Sequence, residues 1–298
     1  MTTYLVTSEF ELNQVAAPNL PLAPVQYNPQ YQDQLNNVLR LYFNRLDAIL
    51  GQLKASLTDA ELSALLQFPN GAFHQDGNTT LTAAMTNVST TAIQVVSTDL
   101  FESSGHLLIG TELIAYTGKT STTFTGITRG VLGTTNVAHS IGDSVTEAFA
   151  VASSTSSSAI PFDTTDASNA IALDPTDNTK VLVEVDGYYN IQFSAQLLNF
   201  TNQIENVTFW FKHNGNDIAY SAGISAVPGK HGSGLGSAGA AIISWNLVYP
   251  FNAGDNFQLY FASELGNVVC ATYPAGVAPV HPVSPSVILT ATFVSGLY

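Results

Sequence analysis

The chain has 298 residues, with 8 Lys+Arg against 22 Asp+Glu, a formal net charge of −14 and one cysteine. Charged residues make up 10% and aromatics another 10%, which is far below the roughly 25% charged of an ordinary soluble domain yet too aromatic for a disordered polar chain. The acidic balance offers no basic patch to nucleic acid or to an anionic membrane surface, and the lone Cys270 rules out a scaffold stapled by intrachain disulfides.

Met1 to Phe10 hold no basic residue and no apolar core, so no signal peptide is expected. No apolar run reaches 18 residues, so no membrane insertion is expected. Both point to folding in a reducing cytoplasm. Residues 1–30 read as an extended arm. Pro18, Pro21, Pro24 and Pro29 exclude a helix through this stretch, and Tyr4, Val6, Phe10 and Leu12 fall at even spacings, as in a strand. An arm this apolar is expected to dock on something; a disordered tail is the competing reading.

Residues 31–70 are expected to be helical. Leu35, Leu39, Tyr42, Leu46, Ile49 and Leu53 are spaced 4, 3, 4, 3, 4, a heptad seam through nearly three repeats. Val38, Phe43 and Leu50 widen the apolar stripe beyond a two-stranded seam, so the helix suits a bundle of three chains or packing on its own chain. Gly51 weakens the last turn. Thr58 with Glu61 forms a capping box for a second, shorter helix carrying Leu62, Leu65 and Leu66, which Pro69-Asn70-Gly71 ends.

From residue 71 the pattern turns to β. Short runs at 92–96, 107–109, 112–116, 123–127 and 144–146 alternate with glycine turns, predicting a small barrel or sandwich over 71–149. Residues 150–159 (AVASSTSSSA) read as a linker. Residues 160–298 hold strands at 180–185, 189–196, 207–212, 241–245, 257–261 and 286–293, with turns at Asp186-Gly187, Asn214-Gly215-Asn216 and 253–256. No helical period intervenes, so a terminal sandwich or jelly roll is expected.

Three resemblances add to this. The run Ile109-Gly110-Thr111-Glu112-Leu113-Ile114-Ala115-Tyr116, then Phe124-Thr125-Gly126-Ile127-Thr128-Arg129-Gly130, Gly133-Thr134 and Ala138-His139 resembles a module of tailed-bacteriophage structural proteins. Asn19 to Pro24, with Tyr31 and Asp33 to Asn44, is similar to N-terminal segments of phage virion proteins, many of them fibres. In the last domain, Gly187-Tyr188-Tyr189, Phe209-Trp210-Phe211-Lys212-His213-Asn214-Gly215, Ala253-Gly254-Asp255 and the final strand resemble the jelly roll of the tumour-necrosis-factor and complement globular-head superfamily. The first two imply a virion part; the third implies a trimer.

Catalytic patterns are weak. His74, His106, His139, His213, His231 and His281 show no metal spacing, and His139 is expected to support a turn. Cys270 follows Val268-Val269 and reads as a buried small hydrophobe. Asp163, Asp166, Asp174 and Asp177 offer Ca²⁺ ligands, but Asx-turns in solvated loops are preferred. The Gly-rich stretch 229–239 lacks the order of a phosphate loop. It is expected to be a mobile surface loop, with Lys230, His231, Ser233 and Leu235 as candidate contacts; Val277 to Pro285 is a stiffer second loop. No catalytic residue, metal or cofactor is expected.

The expected function is therefore a phage virion structural protein, a homotrimeric short fibre or surface-decoration protein. It would assemble in the host cytoplasm, anchor to another virion protein through residues 1–30, and display a β head that offers attachment to a host glycan or protein. The alternatives are a capsid cement protein with no receptor role, and a glycan-cleaving hydrolase.

Overall fold

A computed structural model describes residues 20, 26, 29–56, 68–89, 91–150, 155–232, 238–277 and 280–297. It forms two compact units, Met1–Gln67 and Phe68–Tyr298.

Among the described residues of the first unit a helix spans Pro29–Ser56, about 42 Å at 1.5 Å per residue. Pro29 heads it, where the missing N–H costs no helical bond and the fixed φ is already helical. The helix runs on through Gly51 to Ser56. Leu35, Leu39, Tyr42, Leu46 and Ile49 are partly shielded along one stripe, while Phe43 and Leu50 stand 57% and 60% exposed. The opposite side is polar: Arg40 Nη2 donates to Asn37 Oδ1 at 3.0 Å. Leu53 belongs to the helix, but its side chain lies outside the described residues, as do the second helix expected over 58–66 and nearly all of the arm 1–30.

The second unit is built from strands, so the protein is mainly β and sandwich-like. All pairings within its sheets are antiparallel. One sheet runs Thr164–Asn169, Asn70–Gln75, Val287–Ser295 and Gly187–Asn199, and Gly239–Phe251 pairs the far side of Gly187–Asn199. The facing sheet runs Ile171–Asp174, Asp177–Val183, Asn256–Ser263 and Glu205–His213, with Gly223–Val227 beyond it. Gly187–Asn199 and Glu205–His213 alternate apolar and polar residues with period two, and the apolar set points between the sheets. There Phe193 stacks on Phe209 at 5.0 Å, and Phe209 meets Phe261 at 4.9 Å. The Asn214-Gly215 turn has φ of 48° and 80°, the left-handed pair that a two-residue hairpin favours.

A smaller β module has its own core of Leu81, Ile93, Phe101, Leu107, Ile114 and Phe124. Its strands Gly105–Ile109, Glu112–Tyr116 and Ser144–Phe149 continue the first sheet, because Val268–Ala271 pairs both Gly187–Asn199 and Ser144–Phe149.

Two expectations change here. The sequence pattern places the β region from 71 in the small module, whereas Asn70–Gln75 lies inside the sandwich sheet and buries Phe73 in its core. The linker 150–159 ends in a strand, since Ser157–Ala159 pairs Asn256–Ser263. Both strands are polar and short, so their inward residues come too few to show a period.

Gly239 marks a close approach. A Cβ there would fall 1.6 Å from the Pro228 carbonyl oxygen, a backbone atom that cannot swing aside. Gly239→Ala is therefore expected to lose about 2 kcal/mol or more, read as a lowered midpoint in urea unfolding; an unchanged midpoint would contradict the packing.

Candidate functional site

One candidate functional feature is the outer face of the first sheet. Gly187–Asn199, Gly239–Phe251 and Val287–Ser295 span 13, 13 and 9 residues, and none is Asp, Glu, Lys, Arg or His. Alternation turns Gln192, Ser194, Ser244, Asn246 and Thr290 to this face, and pairing places Gln192 opposite both Asn246 and Thr290. Between them lies a groove of about 460 Å³, also lined by Ile288. Around it Ile242, Val248, Ile288 and Val294 stand 72%, 53%, 41% and 56% exposed. Asn190 Oδ1, on the same face, is buried with no hydrogen-bond partner. The surface thus combines apolar side chains, neutral hydrogen-bonding groups and one unmet acceptor, features that suit a partner surface.

The module holds a buried ionic network. Arg129 Nε and Nη2 donate to Glu112 Oε1 and Oε2 at 2.5 and 2.6 Å. Both side chains are almost wholly buried. Arg129 also donates to the carbonyls of Thr86, Ser89 and Val137. Glu112 accepts from the N–H groups of Gly130 and Val137, and His139 Nε2 lies 2.9 Å from its Oε2. Burial pushes the Glu112 carboxyl up, but the bonds from Arg129, Val137 and His139 outweigh it and hold it below the usual carboxylate range. Glu112 and Arg129 thus direct their hydrogen bonds to the backbone around 86–89 and 130–137 and to His139, which makes the cluster a brace between these segments. His139 itself pairs Met85 in an antiparallel bridge, and its ring meets Glu112.

The other candidates fall apart spatially or are engaged locally. His74 pairs Asp166 at 2.8 Å and His213 pairs Asp255 at 2.9 Å. His231 and His281 meet backbone carbonyls. Asp174 and Asp177 accept from the N–H and hydroxyl of Thr176 and Thr179 respectively, as in Asx-turns. Asp163 accepts from Asp76 N–H at 3.0 Å. Among the described residues no group of three or more His, Cys, Asp or Glu is arranged to hold a metal ion. Cys270 is fully buried, and burial pushes its thiol far up, which disfavours the thiolate.

Of the candidate loop, Lys230 N–H donates to Thr201 O at 2.7 Å, which ties one end of the loop down, and His231 is exposed. Ser233 and Leu235 lie outside the described residues. In the second loop Gly276–Val277 pairs Val280–His281. Sequence reasoning missed the uncharged sheet face, although the absence of charge from three strands was there to be seen. It also missed the Glu112–Arg129 pair, since no spacing announces two residues 17 apart.

The chain matches no protein-family model and no curated protein.

Proposed function

We propose that the protein is a homotrimeric structural component of a phage particle, a short fibre or surface-decoration protein displaying its β unit. The observation that carries the self-association is the uncharged face of Gly187–Asn199, Gly239–Phe251 and Val287–Ser295. A soluble acidic chain has no physical reason to keep every charge off three adjacent strands unless water is removed from them. The unmet Asn190 acceptor favours a donor from a neighbouring copy. The helix stripe from Leu35 to Ile49 supports the same stoichiometry, because a threefold operation acts on every part of a chain alike. The sheet order is compatible with the head-type jelly roll that the landmarks resemble. The virion assignment rests on the phage-like runs at 109–139 and 19–44, and attachment to another virion protein rests on the arm 1–30. The displayed face of the β unit is the candidate contact with a host glycan or protein.

Sedimentation of the full chain is the direct test. The expected species contains three chains of 31.6 kDa at micromolar concentration, and a stable monomer there would overturn the trimer. Free protein added in excess is expected to reduce adsorption of the particles to host cells. Unchanged adsorption, together with particles that fall apart when the protein is missing, would make it a cement protein.

A further inference from the structure

Glu147 lies on Ser144–Phe149, the strand shared by the two β bodies. Val145 packs in the core of the module, while Phe149 packs against the core of the sandwich. Between them Glu147 is 4% exposed, and its Oε2 has no hydrogen-bond partner. Gly77 closes over it: the Glu147 N–H donates to Gly77 O at 2.7 Å, and a Cβ on Gly77 would fall 2.8 Å from Oε2. Among the described residues the group that stabilises the carboxylate from the backbone is the Glu102 N–H.

Of the charged neighbours that act on this carboxyl, two are acids, Asp163 and Glu102, and one is a cation, Lys119. From the module come Glu102, whose Oε1 accepts from Asn178 Nδ2 at 2.6 Å, and Tyr116, whose hydroxyl donates to Glu102 O. Lys119 is the nearby cation, but its ammonium donates to the carbonyls of Thr98 and Phe101. His106 sits one position along from the residue paired with Glu147, and burial holds its ring below the usual histidine range. From the sandwich come Asp163, Asp76 and His74, the last paired with Asp166. Cys270 and Thr272 lie on the segment beyond, and Thr272 N–H donates to Glu147 O.

We propose that Glu147 is a proton-controlled latch, which holds the module against the sandwich while it carries a proton and loosens the shared strand when the proton leaves. A neutral carboxyl suits a buried site with acids beside it; a carboxylate there would be a buried charge with an unmet oxygen. Burial first, then the charges of Asp163 and Glu102, push this carboxyl up to about 8, against the bond from Glu102 N–H and the attraction of Lys119. Burial also raises Asp163 and Asp76. The sign follows. Below the ordinary carboxyl range both folded and unfolded chains carry the proton. As pH rises from there towards 8 only the unfolded chain gives it up readily, so stability falls across this window. This inference does not depend on the trimer.

The test compares the full chain with Glu147→Gln, an amide of the same shape that cannot ionise. The expected result is that Glu147→Gln gains on the natural chain by roughly 5 °C in Tm between pH 5.5 and 8.5. Amides of 144–149 are expected to lose protection at pH 9 in the natural chain only. A Tm difference that stays flat across this range would overturn the latch. If Glu147→Gln does not fold, carbon-detected titration of Glu147 in the natural chain decides: a midpoint above pH 6.5 supports the latch, and one below it overturns the proposal.

Discussion

Arg129→Met is expected to destabilise the Phe68–Tyr298 unit by about 3–5 kcal/mol, the usual cost of leaving one partner of a buried ion pair alone. Glu112 would keep its charge in a site with no exposed surface, and three carbonyls would lose their donor. For a unit of this size that is a fall of roughly 10 °C in Tm, measured by calorimetry. Adding Glu112→Gln to the same chain removes the stranded charge and is expected to recover part of the loss, because the two sites are coupled. A loss below about 1 kcal/mol would show that the network is a bystander. The network also sets an acid limit. Glu112 is held below its ordinary range in the folded state, so its contribution is complete above that range and disappears as pH falls through the lowered value. This is the opposite sign to Glu147, so stability should pass through a maximum in mildly acidic solution.

Ile288→Glu is expected to break the assembly while leaving the fold intact. Ile288 is partly exposed and lines the groove on the uncharged face, so the substitution creates no cavity. In a threefold assembly it would bring like charges together on a surface that carries none, costing several kcal/mol. Association should weaken by about a hundredfold or more, and the sedimenting mass should fall to that of one chain. Ile224→Glu is the control. Ile224 is more exposed than Ile288 but lies on the facing sheet, on the strand that pairs Glu205–His213, and it should leave the mass unchanged. If both variants stay trimeric, the uncharged face is not the interface.

What could be foreseen depended on how far apart the causes lie in sequence. The helix was legible because its apolar residues repeat every 3.5 positions within one segment. The strands 187–199 and 205–213 were legible because they alternate over many residues, and the Asn214-Gly215 turn because its chemistry is local. Asn70–Gln75 was not. It holds one inward aromatic, Phe73, and its place is set by Thr164–Asn169 and Val287–Ser295, which are far away along the chain. Val268–Ala271 is buried on both faces, so it shows no alternation, and only the isolated apolar run hinted at it. The sheet face was legible as composition but not as a surface, since its three strands become neighbours only on folding. Glu112 and Arg129 stand in separate strand and turn segments, so nothing local announces the pair they make.

The position of Asn70–Gln75 between Thr164–Asn169 and Val287–Ser295 constrains how the protein is made. Its second neighbour leaves the ribosome roughly 200 residues later, which takes some ten to forty seconds at about 5–20 residues per second. During that interval Phe73 has no completed core to enter, and the first sheet waits for Val287–Ser295. The sandwich is therefore expected to close after translation. Translation that stops ahead of residue 287 would leave a central vacancy in the sheet, and such chains should be recovered in aggregates or degraded rather than as shortened folded protein.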